Sequence, residues 1–401
     1  MTATGAGTTP TELPADVPER KEIARLLLDA GTEAIDLELE PVVDREAGLL
    51  ADLGLPFPDG LAPEPQPIDP APALDAPLPK ADVVVVTWTV AELNALADVL
   101  TPGHPRSHWY RYARGFEQSY LPKIRDDAPA RKAKRLASYF PTKIGDKTVL
   151  CMKSELHLNQ DGIPTGDKTS TLPVKDLFRQ IIEEAQPSLV LTVGTSGGVK
   201  HEHDLGDVVV TRAAKFRLAD EFANEPFAGQ TYRSDWKIPT TQFAKAEELM
   251  AEHARELEEP DFAPPTKRYA YEGPLLKSEP PNKPSIHIDD GDAMPEFHPI
   301  LTTDFFEFGT SANNLWTEGC AVEMGDAVLG LVADELGDAA PDWAIVRNLS
   351  DPMINGDLPT KPRKPDMQAH WAVWYYEAYG YWTSVMGALA TWAIIAGLED
   401  G

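Results

Sequence analysis

A glycine-rich stretch between two apolar runs is the part of this sequence whose residue types and spacing best suit ligand chemistry. The runs SLVLTV (188–193) and DVVVT (207–211) are apolar or β-branched almost throughout, as strands covered on both faces usually are. Glycines between them can adopt positive φ, expose backbone N–H groups and let a ligand approach the main chain. The stretch predicts a loop that cradles an anion or a polar sugar, although a plain turn fits the same residues. The candidate binding residues are Gly194, Thr195, Ser196 and Gly197.

Two other chemical interpretations of this region are weaker. In the run His201-Glu202-His203-Asp204 alternating residues could face one metal ion, but no further ligands follow at a recognisable spacing, which favours a solvated loop. Ser196 has no His or Asp placed by a motif to activate it as a nucleophile. We therefore expect neither a metal nor a cofactor.

Composition and charge narrow the class of partner. The chain has 401 residues, 42% of them hydrophobic, which indicates a soluble globular protein with a large core. Its 64 acidic and 36 basic residues give a formal charge of −28, which disfavours a nucleic-acid backbone and favours a small ligand. Cys151 and Cys320 suggest neither a disulfide framework nor a thiolate metal site, so a reduced cytoplasm is the default compartment. The N-terminus lacks the pattern of a secretory signal.

Residues 1–79 are predicted to be an N-terminal extension. Residues 1–18 show no regular pattern, residues 19–30 have apolar positions at helical spacing, and a shorter helical pattern covers residues 43–53. Residues 56–79 carry a proline at nearly every second or third position, which indicates an extended spacer. The main domain is therefore expected over residues 80–401.

Alternating strand and helix patterns in the main domain predict an α/β fold. Strand patterns cover 81–87, 147–153, 300–306 and 343–347, helical patterns cover 91–100, 173–185 and 240–257, and residues 320–327 are predicted to open a further helix. Glu92 lies at the start of the first helix, where the helix dipole stabilises a carboxylate. Its position there does not by itself require a functional role. The charge-free segment 378–397 fits either a membrane span or a buried terminal helix. Its Trp, Tyr, Gly and Ala content and its lack of a basic flank favour the buried helix.

Four short motifs carry a resemblance to a known family. GTSGG followed by GDVVV, then AVEM, then VRNLSD occur in this order at separations that resemble the purine nucleoside phosphorylase and nucleosidase superfamily. The resemblance covers residues 80–398 and is greatest to methylthioadenosine/S-adenosylhomocysteine nucleosidases. It implies a three-layer α/β fold with a mixed, partly barrel-like central sheet flanked by helices, the last of which would be the apolar C-terminal segment.

The resemblance also implies roles for particular residues. Asp351 matches the acid that protonates or hydrogen-bonds the imidazole-ring nitrogen of the departing purine, and Ser350 would orient it. Such an acid typically contributes a factor of about 10² to 10⁴ to the rate. Glu92 matches the carboxylate that positions and activates water near the anomeric carbon. Phe306 matches the aromatic residue that packs on the purine face, although a core phenylalanine fits the same pattern.

Two departures from the family pattern bear on the reaction. Glu323 and Met324 match the segment that lines the ribose, but Gly325 stands where the family has a glutamate that binds sugar hydroxyls. Either Asp326 or Glu323 replaces that group, or the sugar is modified, or activity is lost. Thr192 stands where phosphorylases carry a phosphate-binding arginine, so water is expected as the nucleophile.

The expected function is hydrolytic cleavage of the N-glycosidic bond of a purine nucleoside or nucleotide. A phosphate-dependent phosphorylase and a catalytically silent purine sensor on the same fold remain alternatives. The resemblance favours a homodimer, and the aromatic residues around Trp371 and Trp382 exceed what one helix face can bury. Neither a nucleic acid nor a membrane is expected as a partner.

Overall fold

The structure, a computed structural model, describes residues 53–166, 168–255, 281–289, 298–358 and 367–398. The helical pattern predicted for residues 19–30 lies outside these residues, as does the pattern predicted for residues 43–53 apart from its last residue. Within them, a mixed sheet of thirteen strands is flanked by helices, which confirms the predicted α/β class.

The strands are numbered in chain order. They are β1 (Glu64–Pro65), β2 (Val83–Thr87), β3 (Tyr110–Tyr112), β4 (Ala137–Ile144), β5 (Lys147–Ser154), β6 (Leu189–Gly198), β7 (Val208–Thr211), β8 (Ala213–Arg217), β9 (Thr231–Arg233), β10 (Ile286–Ile288), β11 (Ile300–Thr303), β12 (Ala321–Glu323) and β13 (Asp342–Asp351). The main path through the sheet is β1-β4-β5-β2-β6-β12-β11-β8-β9, and β13 lies between β6 and β7. Strands β5, β2, β6 and β13 are parallel neighbours, so their carboxyl ends meet at one edge.

The α-helices are α1 (Val90–Leu100), α2 (Pro129–Ala133), α3 (Pro173–Ala185), α4 (Phe243–Ala254), α5 (Ala327–Leu336) and α6 (Met367–Ala396). Helices α1, α4 and α6 contribute to one large apolar core, and α3 and α5 contribute to a second. The sheet is therefore buried on both faces. This explains why β2 is an uninterrupted apolar run rather than an alternating one.

Helix α1 begins with a capping box that also fixes a candidate site residue. Thr89 accepts a hydrogen bond from the backbone N–H of Glu92, and the Glu92 carboxylate accepts one from the backbone N–H of Thr89. The strand, the two-residue turn and the helix thus hold Glu92 at the carboxyl end of β2.

Two local predictions were wrong. The glycine-rich stretch is not a loop, because β6 continues through Gly198 and its last residues pair with β13 and β12. Residues 321–323 form β12 rather than the start of a helix, and α5 begins only at Ala327. In both cases pairing with neighbouring strands overrides local preference.

The described part of the proline-rich segment packs on the main domain. Phe57 lies against Trp392 of α6 with 4.8 Å between ring centroids, and the Trp392 indole N–H donates to the Leu61 carbonyl at 2.7 Å. Residues Glu64 and Pro65 pair with the edge of β4. The apolar C-terminal segment forms most of α6, and no helix among the described residues has the length and apolarity needed to cross a membrane. Both cysteines are buried and unpaired.

Candidate active site

A cavity of about 100 Å³ opens at the carboxyl ends of β2, β5, β6 and β13, the edge at which ligands bind in many α/β folds. One water molecule needs only about 10–15 Å³ on this measure, so the cavity suits a larger ligand. The residues that line it are Trp88, Thr89, Glu92, His157, Asn159, Thr195, Ser196, Gly197, Phe306, Glu307, Val322, Glu323, Met324, Gly325, Arg347, Ser350, Asp351, Ala372 and Tyr376.

Glu92 is buried in the cavity wall and both of its carboxylate oxygens are occupied. Oε2 accepts hydrogen bonds from the Thr87 hydroxyl (2.8 Å) and the backbone N–H groups of Trp88 (3.0 Å) and Thr89 (2.8 Å). Oε1 accepts from the backbone N–H (2.7 Å) and hydroxyl (2.9 Å) of Thr195. Burial alone would raise the pKa of Glu92, but the charge of Arg347 and these hydrogen bonds lower it below the ordinary value. Glu92 is therefore ionised at neutral pH.

The cavity lies beside a gap in the sheet along one edge of β6. Strand β2 pairs with β6 only as far as Thr192, and β12 pairs with it from Gly197. Between these points, on this edge, the backbone N–H and carbonyl of Thr195 bond to side chains rather than to a neighbouring strand. Its N–H donates to Glu92, and its carbonyl accepts from Arg347 Nη1 at 3.0 Å.

Arg347 on β13 is held by buried carboxylates. Its Nε and Nη2 bond to Asp326 Oδ2 and Oδ1 at 2.7 and 2.5 Å, and Nη2 lies 3.3 Å from Glu323 Oε2. Burial lowers the pKa of Arg347, but the charges of Asp326 and Glu323 outweigh it, and the net pKa is raised. Burial and the neighbouring charge of Asp326 raise the pKa of Glu323, while the charge of Arg347 and the hydrogen bonds from Thr302 and Asp326 favour its ionised form.

Asp351 is the cavity carboxyl with an unoccupied oxygen among the described residues. Oδ1 accepts a hydrogen bond from the Ser350 hydroxyl at 3.1 Å, while Oδ2 is buried without a partner. Burial raises the pKa of Asp351 to about 8, and the bond from Ser350 lowers it only slightly by comparison. The carboxyl is therefore largely protonated at neutral pH and can act as an acid.

A register shift explains how adjacent residues both reach the cavity. Neighbouring residues on a strand normally point to opposite faces. Leu349 pairs with Ser196, but Asp351 rather than Ser350 pairs with Gly197, so β13 carries an extra residue at this point. Both Ser350 and Asp351 consequently line the cavity.

Trp88 occupies the space beside Gly325. A Cβ atom built on Gly325 would lie 3.3 Å from Trp88 Cζ2 and 3.7 Å from Glu323 Oε2. The indole is itself fixed between neighbours, since the Arg347 guanidinium carbon lies 5.1 Å from its ring centroid and the Phe178 ring lies 6.2 Å away. A side chain at position 325 would therefore require the indole to shift by a few tenths of an ångström.

The loop after β5 brings two polar residues that the sequence analysis missed. The His157 ring is buried, and burial lowers its pKa to about 3, so it is neutral. Asn159 Nδ2 lies 3.7 Å from Met324 Sδ, and Asn159 Oδ1 is buried without a hydrogen-bond partner. The run ELHLNQD (155–161), which directly follows a buried strand, was the available signal.

Most of the residues proposed from the sequence come together in the cavity wall. Glu92, Thr195, Ser196, Gly197, Phe306, Glu323, Met324, Ser350 and Asp351 line it. Gly194 and Asp326 lie behind the wall: Asp326 binds Arg347, and a Cβ atom on Gly194 would lie 2.5 Å from Arg347 Nη1. The further residues that sequence reasoning missed are Trp88, Thr89, His157, Asn159, Glu307, Val322, Arg347, Ala372 and Tyr376.

No model of a known protein family and no curated protein matches the chain. The chain is similar to the solved structure of 5′-methylthioadenosine/S-adenosylhomocysteine nucleosidase from Neisseria meningitidis in complex with methylthio-immucillin-A, at 15% identity and a TM-score of 0.44, with 79% of this chain and 99% of that chain covered. It is also similar to the nucleosidase from S. pneumoniae with a transition-state inhibitor (14%, TM-score 0.42, 79% and 99% covered). A third similar structure is futalosine hydrolase of Helicobacter pylori strain 26695 (10%, TM-score 0.40, 78% and 96% covered). At these identities and scores the similarity says nothing about activity, which has to follow from the residues of the site.

Proposed function

We propose that the chain is an N-glycosidase that hydrolyses a purine nucleoside in this cavity. The observation that carries the proposal is the carboxyl of Asp351, which is buried in the cavity wall, bonded to Ser350 through one oxygen and unbonded at the other. Its raised pKa, about 8, supplies a proton donor at neutral pH.

The proposed reaction uses this proton at the leaving base. As the bond between the anomeric carbon and the purine nitrogen breaks, its electron pair passes to the base. Asp351 then donates its proton to an imidazole-ring nitrogen of that base. Water bonds to the anomeric carbon and passes a proton to solvent, and Asp351 regains a proton from solvent, which gives free purine and free sugar. Phe306 packs on the purine face, and Met324 lies on the sugar side.

Water is favoured over phosphate because the cavity lacks a free cation. Of its described lining residues Arg347 is the one Lys or Arg, and its guanidinium already binds Asp326 and Glu323. A phosphate dianion would have no unpaired guanidinium to bind it. Glu92 contributes a negative charge near the position of the oxocarbenium-like sugar, which stabilises that cation electrostatically.

A catalytically silent purine sensor remains a second candidate, and the state of Glu92 favours it. Five donors occupy the two oxygens of Glu92, and its lowered pKa makes it a weak base for activating water. Turnover by wild-type protein, lost in Glu92→Gln at unchanged purine affinity, would exclude the sensor. A wild-type protein that binds purines without turnover would establish it.

The test of the proposed function is release of free base in phosphate-free buffer. Adenosine, inosine, methylthioadenosine and S-adenosylhomocysteine are incubated with the protein, and the products are separated by chromatography. We expect free base and free sugar, and a loss of at least about 100-fold in kcat for Asp351→Asn with little change in nucleoside affinity. A strict requirement for phosphate, or an unaffected Asp351→Asn variant, would contradict the proposal.

A further inference from the structure

Recognition of sugar hydroxyls normally relies on charged acceptors, and this cavity has none to spare among its described residues. Four carboxylic side chains line it: Glu92, Glu307, Glu323 and Asp351. A carboxylate offers about four lone-pair positions to hydrogen-bond donors. The protein donors and the positive charge already bound to each group therefore decide whether it can serve a ligand hydroxyl.

Glu323, the carboxylate on the sugar side, is fully used by the protein. Oε1 accepts from the Thr302 hydroxyl and from the backbone N–H of Asp326, and Oε2 accepts from the backbone N–H groups of Gly325 and Asp326. Arg347 Nη2 also donates to Oε2, at 3.3 Å. No position is left for a sugar hydroxyl.

The other two glutamates are also bound by the protein. Glu92 accepts five hydrogen bonds, from Thr87, Trp88, Thr89 and Thr195. Glu307 accepts two, at 2.9 and 3.3 Å, from the Arg217 guanidinium, which pairs its charge, and its side chain is only 1% exposed. Asp351 keeps an unbonded oxygen, but the proposed reaction assigns that group to the base.

Position 325 cannot supply the missing acceptor. Gly325 has no side chain, and the Trp88 indole stands 3.3 Å from where its Cβ atom would be. The polar groups left for the sugar are neutral, among them the Asn159 amide, whose Oδ1 has no protein partner. A hydrogen bond between neutral groups contributes less to binding than a hydrogen bond to a charged group.

We propose that this cavity binds the sugar without a carboxylate, and that it therefore accepts 2′-deoxy and 3′-deoxy nucleosides about as well as ribonucleosides. The inference rests on the proposed function and narrows its substrate class. Trp88 and Gly325 are the determinants of this tolerance. A site built to bond a substrate hydroxyl would instead reject the analogue that lacks it, by about 10⁴ to 10⁵ in kcat/KM.

The direct test compares adenosine, 2′-deoxyadenosine and 3′-deoxyadenosine with the full chain. Because an electron-withdrawing 2′-hydroxyl slows glycosidic cleavage in the absence of any enzyme, binding has to be measured beside rate. Calorimetric titration of Asp351→Asn gives dissociation constants while turnover is slowed at least about 100-fold. We expect the three constants to agree within about tenfold, the upper range for one neutral hydrogen bond.

The outcomes separate this inference from the proposed function. A preference for adenosine greater than about tenfold in binding, with adenosine still hydrolysed by the wild type, would overturn the inference alone. If the wild-type chain neither binds nor hydrolyses any of the three nucleosides, the inference and the proposed function both fail.

Engineered variants test the two determinants. Gly325→Glu alone should lose affinity for all three nucleosides, because its side chain meets the indole. Gly325→Glu combined with Trp88→Ala should make room for the carboxylate and create a preference for adenosine greater than about tenfold. Circular dichroism establishes folding of each variant. An unchanged preference in a folded double variant would contradict the role of Trp88 and Gly325. The comparison of the three nucleosides described above does not depend on either variant.

Discussion

Glu92 and Gly194 are so close that a Cβ atom on Gly194 would lie 2.6 Å from Glu92 Oε1. The carboxylate can reach Thr195 only because residue 194 has no side chain. This requirement for a close approach, rather than a left-handed backbone, explains the glycine at this position of β6.

Gly194→Ala should therefore damage the site and the core together. We expect kcat/KM to fall at least tenfold and stability to fall by about 1–3 kcal/mol, as for other insertions into packed interiors. Base-release kinetics and chemical denaturation measure the two effects. Gly166→Ala is the matched control, since no atom lies within 4 Å of its added Cβ. Equal values of kcat/KM and of stability in the two variants would show that the Glu92 carboxylate moves aside for the added methyl group.

The activity should depend on pH through Asp351. Its pKa is raised to about 8, so the proton-donating form predominates below that pH and disappears above it. We expect kcat/KM to be level around pH 7 and to fall about tenfold per pH unit well above pH 8.

Asp161 provides a control for the pH profile. Burial also raises its pKa to about 8, but it is not among the residues that line the cavity. Asp161→Asn should keep the decrease above pH 8, whereas Asp351→Asn should lose it along with most of the rate. A decrease that persists in the residual activity of Asp351→Asn would mean that another group titrates.

The ion pair of Asp326 with Arg347 should contribute more to stability than an exposed pair. Both side chains are buried, and removing Asp326 leaves an unpaired guanidinium in the interior. We expect Asp326→Ala to lower the free energy of unfolding by about 3–5 kcal/mol.

Glu335→Ala is the comparison for Asp326→Ala. Glu335 pairs with Lys175 and Arg179 at the surface, where its side chain is 32% exposed. Its removal should lower the free energy of unfolding by no more than about 1 kcal/mol. Urea denaturation of both variants measures the difference, and similar losses would contradict the structural role of the buried pair.

We also predict a homodimer. Light scattering should give twice the chain mass of 43.9 kDa. After deletion of residues 1–52 the measured mass should be twice that of the shortened chain, whereas a deletion through residue 79 also removes Phe57 and Leu61, which contact Trp392 of α6. A monomeric full-length chain would contradict the prediction, and a dimer lost with residues 1–52 would assign assembly to that segment.

Local patterns in the sequence were enough to predict the fold class and the buried strands next to the site. They place Glu92 just after the run VVVVT and put Ser350 and Asp351 just after a predicted strand, and the structure adds the capping box and extends β13 to Asp351. The patterns left both positions without a role, and Glu92, Ser350 and Asp351 became site candidates only through the resemblance of four short motifs.

The remaining residues depend on long-range pairing that local patterns do not encode. Asn159 reaches the cavity because β5 lies beside β2, and Arg347 meets Asp326 because β13 lies beside β6. The glycines of β6 look like a loop, since glycine has no intrinsic strand preference, and only the partners β12 and β13 make them a strand.

The gap beside β6 also has a consequence for the backbone inside the sheet. A buried N–H or carbonyl without a partner destabilises the folded state. Here Glu92 accepts from the N–H of Thr195 and Arg347 donates to its carbonyl, so two side chains take the place of a missing strand. Replacing both residues with apolar ones would leave these two backbone groups without their partners, so the pair that shapes the cavity also completes the hydrogen bonding of the sheet.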